Sequence, residues 1–182
     1  MLIADWAASA AWCGDGWWDL RRWWSEIADI SREWKATGRS SAKWENAGRS
    51  GARVWKKEES TFVGLMGELV VALETGLPLT TALISEGDSG WDFVYLGRTV
   101  DIKTATYDPP HLKEYLDPGP RADCFVLSHV DYWRQRARVV GHATRFQVAT
   151  APVVDYGHGP RLSLGPERLT KGIPPWLPRR SV

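Results

Sequence analysis

The stretch WDFVYLGRTVDIKT, residues 91–104, determines which fold the sequence predicts. Its aromatic and β-branched residues favour two strands, and Gly97-Arg98 is a plausible two-residue turn between them. This turn predicts three cross-strand pairs: Leu96 with Thr99, Val94 with Asp101, and Asp92 with Lys103. Because side chains alternate between the faces of a strand, Asp92, Asp101 and Lys103 are predicted on one face. The other face is predicted to enter the core through Trp91, Phe93, Tyr95, Val100 and Ile102.

The composition predicts a globular protein of one domain. The chain has 182 residues, of which 43% are hydrophobic and 25% are charged. Its formal net charge is only +1, so binding to nucleic acid requires a local basic patch. Two cysteines, Cys13 and Cys124, are too few for a disulfide framework and lack metal-ligand spacing. We therefore expect a reducing, cytoplasmic setting.

No membrane segment is expected. The N-terminus lacks a basic region, and no apolar run is long enough to cross a bilayer. The sequence therefore predicts a soluble protein without a membrane partner.

Tryptophan is unevenly distributed along the chain. Nine of the 12 tryptophans precede residue 60, which predicts a Trp-rich N-terminal extension over 1–59, a core over 60–150 and a Gly/Pro-rich C-terminal segment over 151–182. A helical period from Asp15, with Asp15 as N-cap, predicts a helix that stops at Gly38. Its apolar stripe is predicted from Trp17, Leu20, Trp24, Ile27, Ser31 and Trp34. The stripe is typical of a helix packed on the domain body, and the alternatives are a homodimer or partner interface and a surface that stacks on bases.

A basic segment follows this helix. Residues 35–57 contain seven lysines and arginines and one carboxylate, Glu45. The segment is interpreted either as a solvated face or as a patch that contacts phosphates. The predicted nucleic-acid contacts are Lys43, Arg49, Arg53, Lys56 and Lys57.

Residues 61–76 predict a largely buried helix that ends at Gly76. Within its apolar surroundings lies Glu68. A buried carboxylate is costly unless it has a partner or loses its charge, so Glu68 predicts a functional site. The alternative is a narrow solvent-facing strip that carries Glu68.

The chain after the hairpin predicts further strands. Residues 106–121 are punctuated by prolines and predict a loop with at most a short helix, whereas 122–131 and 136–146 predict strands. A further strand is predicted around 80–85, and the end of the chain is predicted to be an extended tail. Apolar residues on both hairpin faces favour an α/β fold whose sheet is covered on both sides.

Four of these residues, in this order and setting, resemble the PD-(D/E)xK nuclease superfamily, and small phage-type members most of all. They are Glu68 in GELVVALETG, Asp92 in GWDF, and Asp101 with Lys103 in VDIKT. The resemblance covers about residues 60–146, and Trp91 stands where the family has proline. It implies a restriction-endonuclease-like αβββαβ core, with a central mixed sheet flanked by helices. The Trp-rich extension lies outside the resemblance.

The resemblance implies a metal-dependent deoxyribonuclease, an endonuclease of a phage or mobile element that acts in DNA processing, recombination or repair. Such a protein would work in the host cytoplasm. Mg²⁺, or Mn²⁺, suits carboxylate ligands, and the implied ligands are Glu68, Asp92 and Asp101. Lys103 would orient the attacking water or stabilise developing charge; as a base it would need a lowered pKa.

Two alternatives stay open at this point. One is a catalytically silent nucleic-acid-binding or assembly protein on the same fold. The other is a surface ion pair between Asp92 and Lys103 on an exposed hairpin.

Overall fold

The computed structural model describes residues 11–13, 15–36, 57–78, 91–157 and 159–180. Within these ranges the chain forms three α-helices, a short 3-10 helix (Pro166–Arg168) and ten strands. The helices are α1 (Arg21–Ala36), α2 (Lys57–Thr75) and α3 (Arg145–Ala149). The strands are β1 (Ala11–Trp12), β2 (Trp18–Asp19), β3 (Phe93–Tyr95), β4 (Arg98–Ala105), β5 (Leu112–Tyr115), β6 (Cys124–Asp131), β7 (Arg136–Thr144), β8 (Val153–Asp155), β9 (Pro160–Leu164) and β10 (Thr170–Lys171).

The strands form two sheets. The larger has seven strands in the order β1-β2-β7-β6-β4-β3, with β10 also paired to β7, and the smaller has the order β5-β9-β8. In the larger sheet β4 and β6 run parallel, whereas its other paired strands are antiparallel. The predicted mixed α/β class with a mixed central sheet is therefore confirmed.

Helices α1 and α2 cover one face of the large sheet. Helix α2 is apolar on most sides, and Leu65, Met66 and Leu69 lie in one buried cluster with residues of α1, β6 and β7. The helix ends as predicted at Gly76, whose φ of 71° is a left-handed conformation that favours glycine. It begins earlier than predicted, at Lys57.

The other face of the large sheet is covered by the small sheet and α3. Phe125 and Leu127 of β6 lie in a second buried cluster with Leu112 of β5 and Leu162 of β9. Val126, the residue between them, packs with Val71 of α2 on the opposite face. The molecule therefore has helices on one side of its central sheet and mainly strands on the other.

The hairpin register differs from the prediction. The turn is Leu96-Gly97, so Phe93 pairs with Val100 and the predicted pairs about Gly97-Arg98 are wrong. Both turn residues have positive φ, 49° and 74°, as the tight hairpin turn requires. The two registers differ by two residues, so Phe93 stays on the same face of the hairpin, where it packs partly buried against the cluster that contains Val71.

The described part of the Trp-rich segment packs against α2 and the large sheet, as predicted for a helix that lies on the domain body. Helix α1 begins at Arg21 rather than near Asp15, and Trp18 precedes it in β2, paired with Ala137. The predicted stripe packs on the body, since Leu20 and Ile27 are buried and Trp24 packs against their cluster, but the buried face also includes Trp23, which the stripe left out. The predicted end at Gly38 lies outside the described residues.

Two predictions about the chain after the hairpin are wrong, and one is confirmed. Residues 106–121 contain strand β5. The C-terminal segment is folded, since Ile173 and Leu177 are buried there. The two strands predicted over 122–131 and 136–146 are present as β6 and β7. The strand predicted around 80–85 lies outside the described residues.

None of the described helices is both long and apolar enough to cross a membrane.

The predicted boundary near residue 60 stays a prediction, although β2 belongs to the same sheet as β6 and β7.

Candidate active site

A close helix–strand crossing places Glu68 beside the sheet. A Cβ on Gly67 would lie 1.9 Å from Thr104 Oγ1, so only glycine fits where α2 crosses β4. Ser128 Oγ donates to the carbonyl oxygen of Gly67 at 3.1 Å. These two contacts fix the turn of α2 that carries Glu68.

A backbone bend positions Asp92 at the end of β3. Its amide donates to the carbonyl oxygen of Val100 at 2.8 Å, and its Oδ2 accepts the amide of Ile102. The last residue of β4 that pairs with β3 is Val100. Beyond it, the Asp92 carboxylate accepts the next available β4 amide, that of Ile102. The bend also ends the predicted alternation, since Trp91 packs with the second cluster rather than beside Phe93.

Glu68 and Asp92 line one cavity between α2 and the hairpin. Its volume is about 210 Å³. The remaining lining residues are mainly apolar: Val71, Ala72, Thr75, Leu77, Pro78, Phe93, Val94, Tyr95 and Ile102. The cavity thus presents two carboxylates in surroundings of low polarity.

Asp101 and Lys103 belong to a buried ionic network on the opposite face of β4. Lys103 Nζ lies 2.8 Å from Asp101 Oδ2 and 3.0 Å from Glu114 Oε2. The predicted surface pair of Lys103 with Asp92 is therefore wrong, and the Lys103 side chain is only 29% exposed. Glu114 is held in turn, because its Oε1 accepts the amide of Tyr115 at 2.7 Å.

Glu114 is a site residue that the sequence analysis missed. It lies in β5, within the stretch predicted to be a loop. The alternation in Leu112–Tyr115 was the available signal, since Leu112 and Glu114 are both buried. Four residues between prolines are a weak strand signal, and only the pairing with β9 makes Glu114 an inward residue.

The carboxylates lie close enough to affect one another. Burial, together with the charges of Asp92 and Asp101, raises the pKa of Glu68 to about 8. Burial also raises the pKa of Asp101, an effect that Lys103 opposes and that Asp92 and Glu114 reinforce. Burial therefore disfavours the charged form of Glu68, whereas the ammonium group of Lys103 favours the charged form of Asp101.

Lys103 has the opposite shift. Burial alone would lower its pKa, but the carboxylates of Asp101 and Glu114 outweigh burial and raise the pKa above its ordinary value. The amine therefore stays protonated at neutral pH. This shift is opposite to the lowered pKa that a general base needs, and the catalytic role of Lys103 stays a prediction.

The donor set suits a hard divalent cation only in part. Within the described residues, no group of three His, Cys, Asp or Glu side chains is arranged to hold a metal ion. Glu68 and Asp92 do share a cavity, and Mg²⁺ needs only one or two carboxylates besides water and phosphate oxygens. Burial and the charges of Asp92 and Asp101 raise the pKa of Glu68, and a bound cation would relieve this repulsion. The residues therefore fit a two-carboxylate site with Asp101 nearby.

The predicted basic contacts cannot be placed. Lys43, Arg49, Arg53 and Lys56 lie outside the described residues, and Lys57 is the first residue of α2. Their contact with DNA stays a prediction.

The described tryptophans of the predicted stripe pack on the domain body. Trp17 is only 8% exposed, and Trp24 packs against the buried cluster that α2 and the large sheet form. A base-stacking role for the stripe stays a prediction. A homodimer or partner interface in this region stays a prediction.

Comparison of the chain with protein-family models, with curated proteins and with solved structures finds no match.

Proposed function

We propose that the protein is a metal-dependent deoxyribonuclease that hydrolyses phosphodiester bonds of DNA, on a core of the restriction-endonuclease-like type. One observation carries the proposal: Glu68 of α2 and Asp92 of the bend before β3 line one cavity of mainly apolar walls. Burial, Asp92 and the nearby Asp101 raise the pKa of Glu68, which is the setting that a bound cation would relieve. The biological setting we propose is DNA processing, recombination or repair by an endonuclease of a phage or mobile element.

Glu68 and Asp92 would hold Mg²⁺ or Mn²⁺ in the cavity they share, and Asp101, the third ligand that the resemblance implies, lies nearby on the other face of β4. When bound, the cation neutralises negative charge and lowers the pKa of a bound water, so that the water can lose a proton and attack at neutral pH. The hydrogen bond from the Ile102 amide orients the Asp92 carboxylate toward the cavity where the cation would bind. The close crossing of α2 over β4 at Gly67 positions Glu68 at the same cavity. The apolar lining of the cavity limits the water that competes for these groups.

Lys103 acts as a fixed positive charge. Asp101 and Glu114 hold its Nζ at 2.8 and 3.0 Å, which restricts where the ammonium group can lie. A protonated amine stabilises the negative charge that develops on a phosphate or on the leaving oxygen. In this role Glu114 is a positioning residue that acts through Lys103.

A second candidate is a catalytically silent protein that binds nucleic acid on the same fold. It is favoured by the same network, because Lys103 is already neutralised by two carboxylates. An ammonium group whose charge is balanced in this way has less capacity to stabilise the charge that develops during hydrolysis.

A cleavage assay separates the two candidates. Supercoiled, linear, single-stranded and four-way-junction DNA are incubated with Mg²⁺, Mn²⁺ or EDTA. The parent protein is compared with Asp101→Asn and Lys103→Ala, and with the exposed controls Glu167→Gln and Lys171→Gln. We expect metal-dependent cleavage that falls at least about 100-fold in the two site variants and is unchanged in the controls.

Full activity in Asp101→Asn, with its fold intact by circular dichroism, would show that the assigned site is wrong. DNA binding without cleavage of any substrate in either metal would establish the silent candidate. Cleavage that persists in EDTA would exclude the metal-dependent mechanism.

A further inference from the structure

The outward side of the small sheet carries cations and tyrosines together. The residues that define this surface, called here the outer face, are Tyr107, Lys113, Tyr115, Tyr156, Arg161 and Ser163. None of them is part of the ionic network or of the cavity.

Strand alternation establishes which side chains point outward. Leu112, Leu162 and Leu164 lie in the buried cluster between the two sheets. Their neighbours along the strands, Lys113, Arg161 and Ser163, therefore project from the opposite side. The register pairs Lys113 with Ser163 and Tyr115 with Arg161, so these side chains are cross-strand neighbours.

Both cations of the outer face lie against aromatic rings. Lys113 Nζ is 3.5 Å from the ring centroid of Tyr156 and 4.5 Å from that of Tyr107. Arg161 Cζ is 4.0 Å from the ring centroid of Tyr115. Among the described residues neither cation forms a salt bridge, and the outward positions of β5 and β9 include no carboxylate. The outer face is therefore positively charged as well as aromatic.

The tyrosines are both held in place and accessible. The hydroxyl groups of Tyr156 and Ser163 are hydrogen bonded at 2.7 Å, and Tyr107 Oη donates to the carbonyl oxygen of His111 at 3.4 Å. Tyr107 remains 41% exposed and Tyr115 40% exposed. Rings that are fixed by packing lose little entropy when a planar group stacks on them.

We propose that the outer face binds single-stranded nucleic acid, with bases stacked on Tyr107 and Tyr115 and phosphates paired with Lys113 and Arg161. Aromatic rings interleaved with cations are the combination that single strands require, because every unpaired base has a face that can stack. Duplex DNA hides those faces, so the tyrosines would contribute little to binding it. The inference rests on the proposed function and deepens it by naming the substrate class.

Strand β5 connects the outer face to the candidate active site. Glu114 points inward and contacts Lys103, whereas its neighbours Lys113 and Tyr115 belong to the outer face. In the described chain β5 is also an edge strand of its sheet. A nucleic-acid strand that crosses this edge passes from the outer face to the side on which Lys103 lies.

The test is a binding measurement without catalysis. Fluorescence anisotropy of a labelled oligothymidylate and of a duplex of equal length is recorded in EDTA over a range of salt concentrations. Two double variants are compared with the parent protein. The tyrosine pair combines Tyr107→Ala with Tyr115→Ala, and the lysine–arginine pair combines Lys113→Gln with Arg161→Gln. The matched controls are Trp133→Ala, which removes a 79% exposed ring elsewhere, and Lys171→Gln, which removes an exposed cation on β10.

We expect the parent protein to prefer the single strand and the tyrosine pair to lose about tenfold or more in affinity for it. The lysine–arginine pair should reduce the slope of log affinity against log salt by about 1.4, which is about 0.7 for each phosphate that is no longer neutralised. The two controls should bind as the parent protein does.

Photocrosslinking keeps the inference testable if a variant does not fold. A single strand that contains 5-bromouracil should crosslink the parent protein at Tyr107 or Tyr115. Crosslinks confined to other positions, equal affinity for duplex, or unchanged binding by the variant pairs would each overturn the inference.

The two proposals fail separately. If the outer-face pairs bind and cleave normally while Asp101→Asn is inactive, the outer-face inference is wrong and the nuclease stands. If no substrate is cleaved but the outer-face pairs lose single-strand binding, the nuclease proposal is wrong and the outer face stands.

Discussion

Lys103 shows how one side chain can satisfy the predicted pattern and still have a different role. Its spacing from Asp101 matches the nuclease motif, yet its charge is balanced by both Asp101 and Glu114. A buried lysine with two carboxylate partners is favoured in its charged form. At the scale of the residue, this environment would favour electrostatic stabilisation by Lys103 over proton transfer in the proposed nuclease.

Glu68 permits a prediction about pH at the same scale. Its folded-state pKa is raised from 4.5 to about 8, so folding favours the protonated carboxyl. Stability from this group is fully present below the unfolded-state pKa and is lost as pH rises through the folded-state value. Glu68→Gln, which is always neutral, should therefore be more stable than the parent protein at high pH without metal, by at least about 1 kcal/mol.

Urea denaturation in EDTA at pH 5 and pH 8.5 measures this difference. The two proteins should unfold at similar urea concentrations at pH 5, and the variant at a higher concentration at pH 8.5. Because Asp101 keeps a raised pKa, the variant should retain some pH dependence of its own. A difference that is the same at both pH values would mean that Glu68 ionises normally.

At the scale of the element, the crossing of α2 over β4 positions the site. A Cβ at Gly67 meets Thr104 Oγ1 at 1.9 Å, whereas a Cβ at Gly64, in the same helix, meets no atom within 4 Å. Gly67→Ala should thus push the helix away from the strand and cost about 1–3 kcal/mol of stability. Gly64→Ala should be neutral or stabilising by up to about 1 kcal/mol, because alanine favours helix.

Thermal denaturation of the two alanine variants checks this prediction, with metal-dependent cleavage as a second readout. Gly67→Ala should lose activity as well as stability because it displaces the turn that carries Glu68. Equal melting temperatures for the two variants would mean that α2 and β4 are not in close contact.

The β3–β4 hairpin shows why an element can be predicted without its register. Its two strands were evident from their β-branched and aromatic residues, but two neighbouring turns were compatible with Gly97. The observed turn gives Leu96 an unfavourable φ of 49°. Its register differs from the predicted one by two residues, so the alternation of side chains is the same in both and could not distinguish them.

At the scale of the whole molecule, the end of the chain helps to complete the fold. Strand β10 pairs with β7, and the amide of Arg180 donates to the carbonyl oxygen of Glu74 at 3.0 Å. Leu177 is only 3% exposed in this segment. The C-terminal residues thus bind to the sheet and to α2 at once.

Leu177→Ala should lower the free energy of unfolding by about 2–5 kcal/mol, as expected for a buried leucine. Val153→Ala removes a side chain that is 55% exposed and should change it by about 0.5 kcal/mol or less. Chemical denaturation measures both values. An effect of Leu177→Ala as small as that of the control would mean that the C-terminal segment is a detachable tail.

Periodicity and local chemistry by themselves determined the α/β class, helix α2 with its end at Gly76, and strands β6 and β7. These features depend on neighbours in the sequence, since a burial pattern and a helix stop are local signals. They also singled out Glu68, Asp92, Asp101 and Lys103 as candidate site residues. Nothing local distinguished β5 from a loop, because its burial comes from β9 and the large sheet.

Only the tertiary structure decided which candidates meet. It placed Glu68 and Asp92 on one cavity and Asp101 and Lys103 on the other face of β4, and it brought in Glu114 from β5. The physical reason is that pKa and ion pairing depend on burial and on charges that are distant in sequence. The sequence therefore named the acidic residues, and the packing of its two sheets and helix α2 determined which charges surround each one.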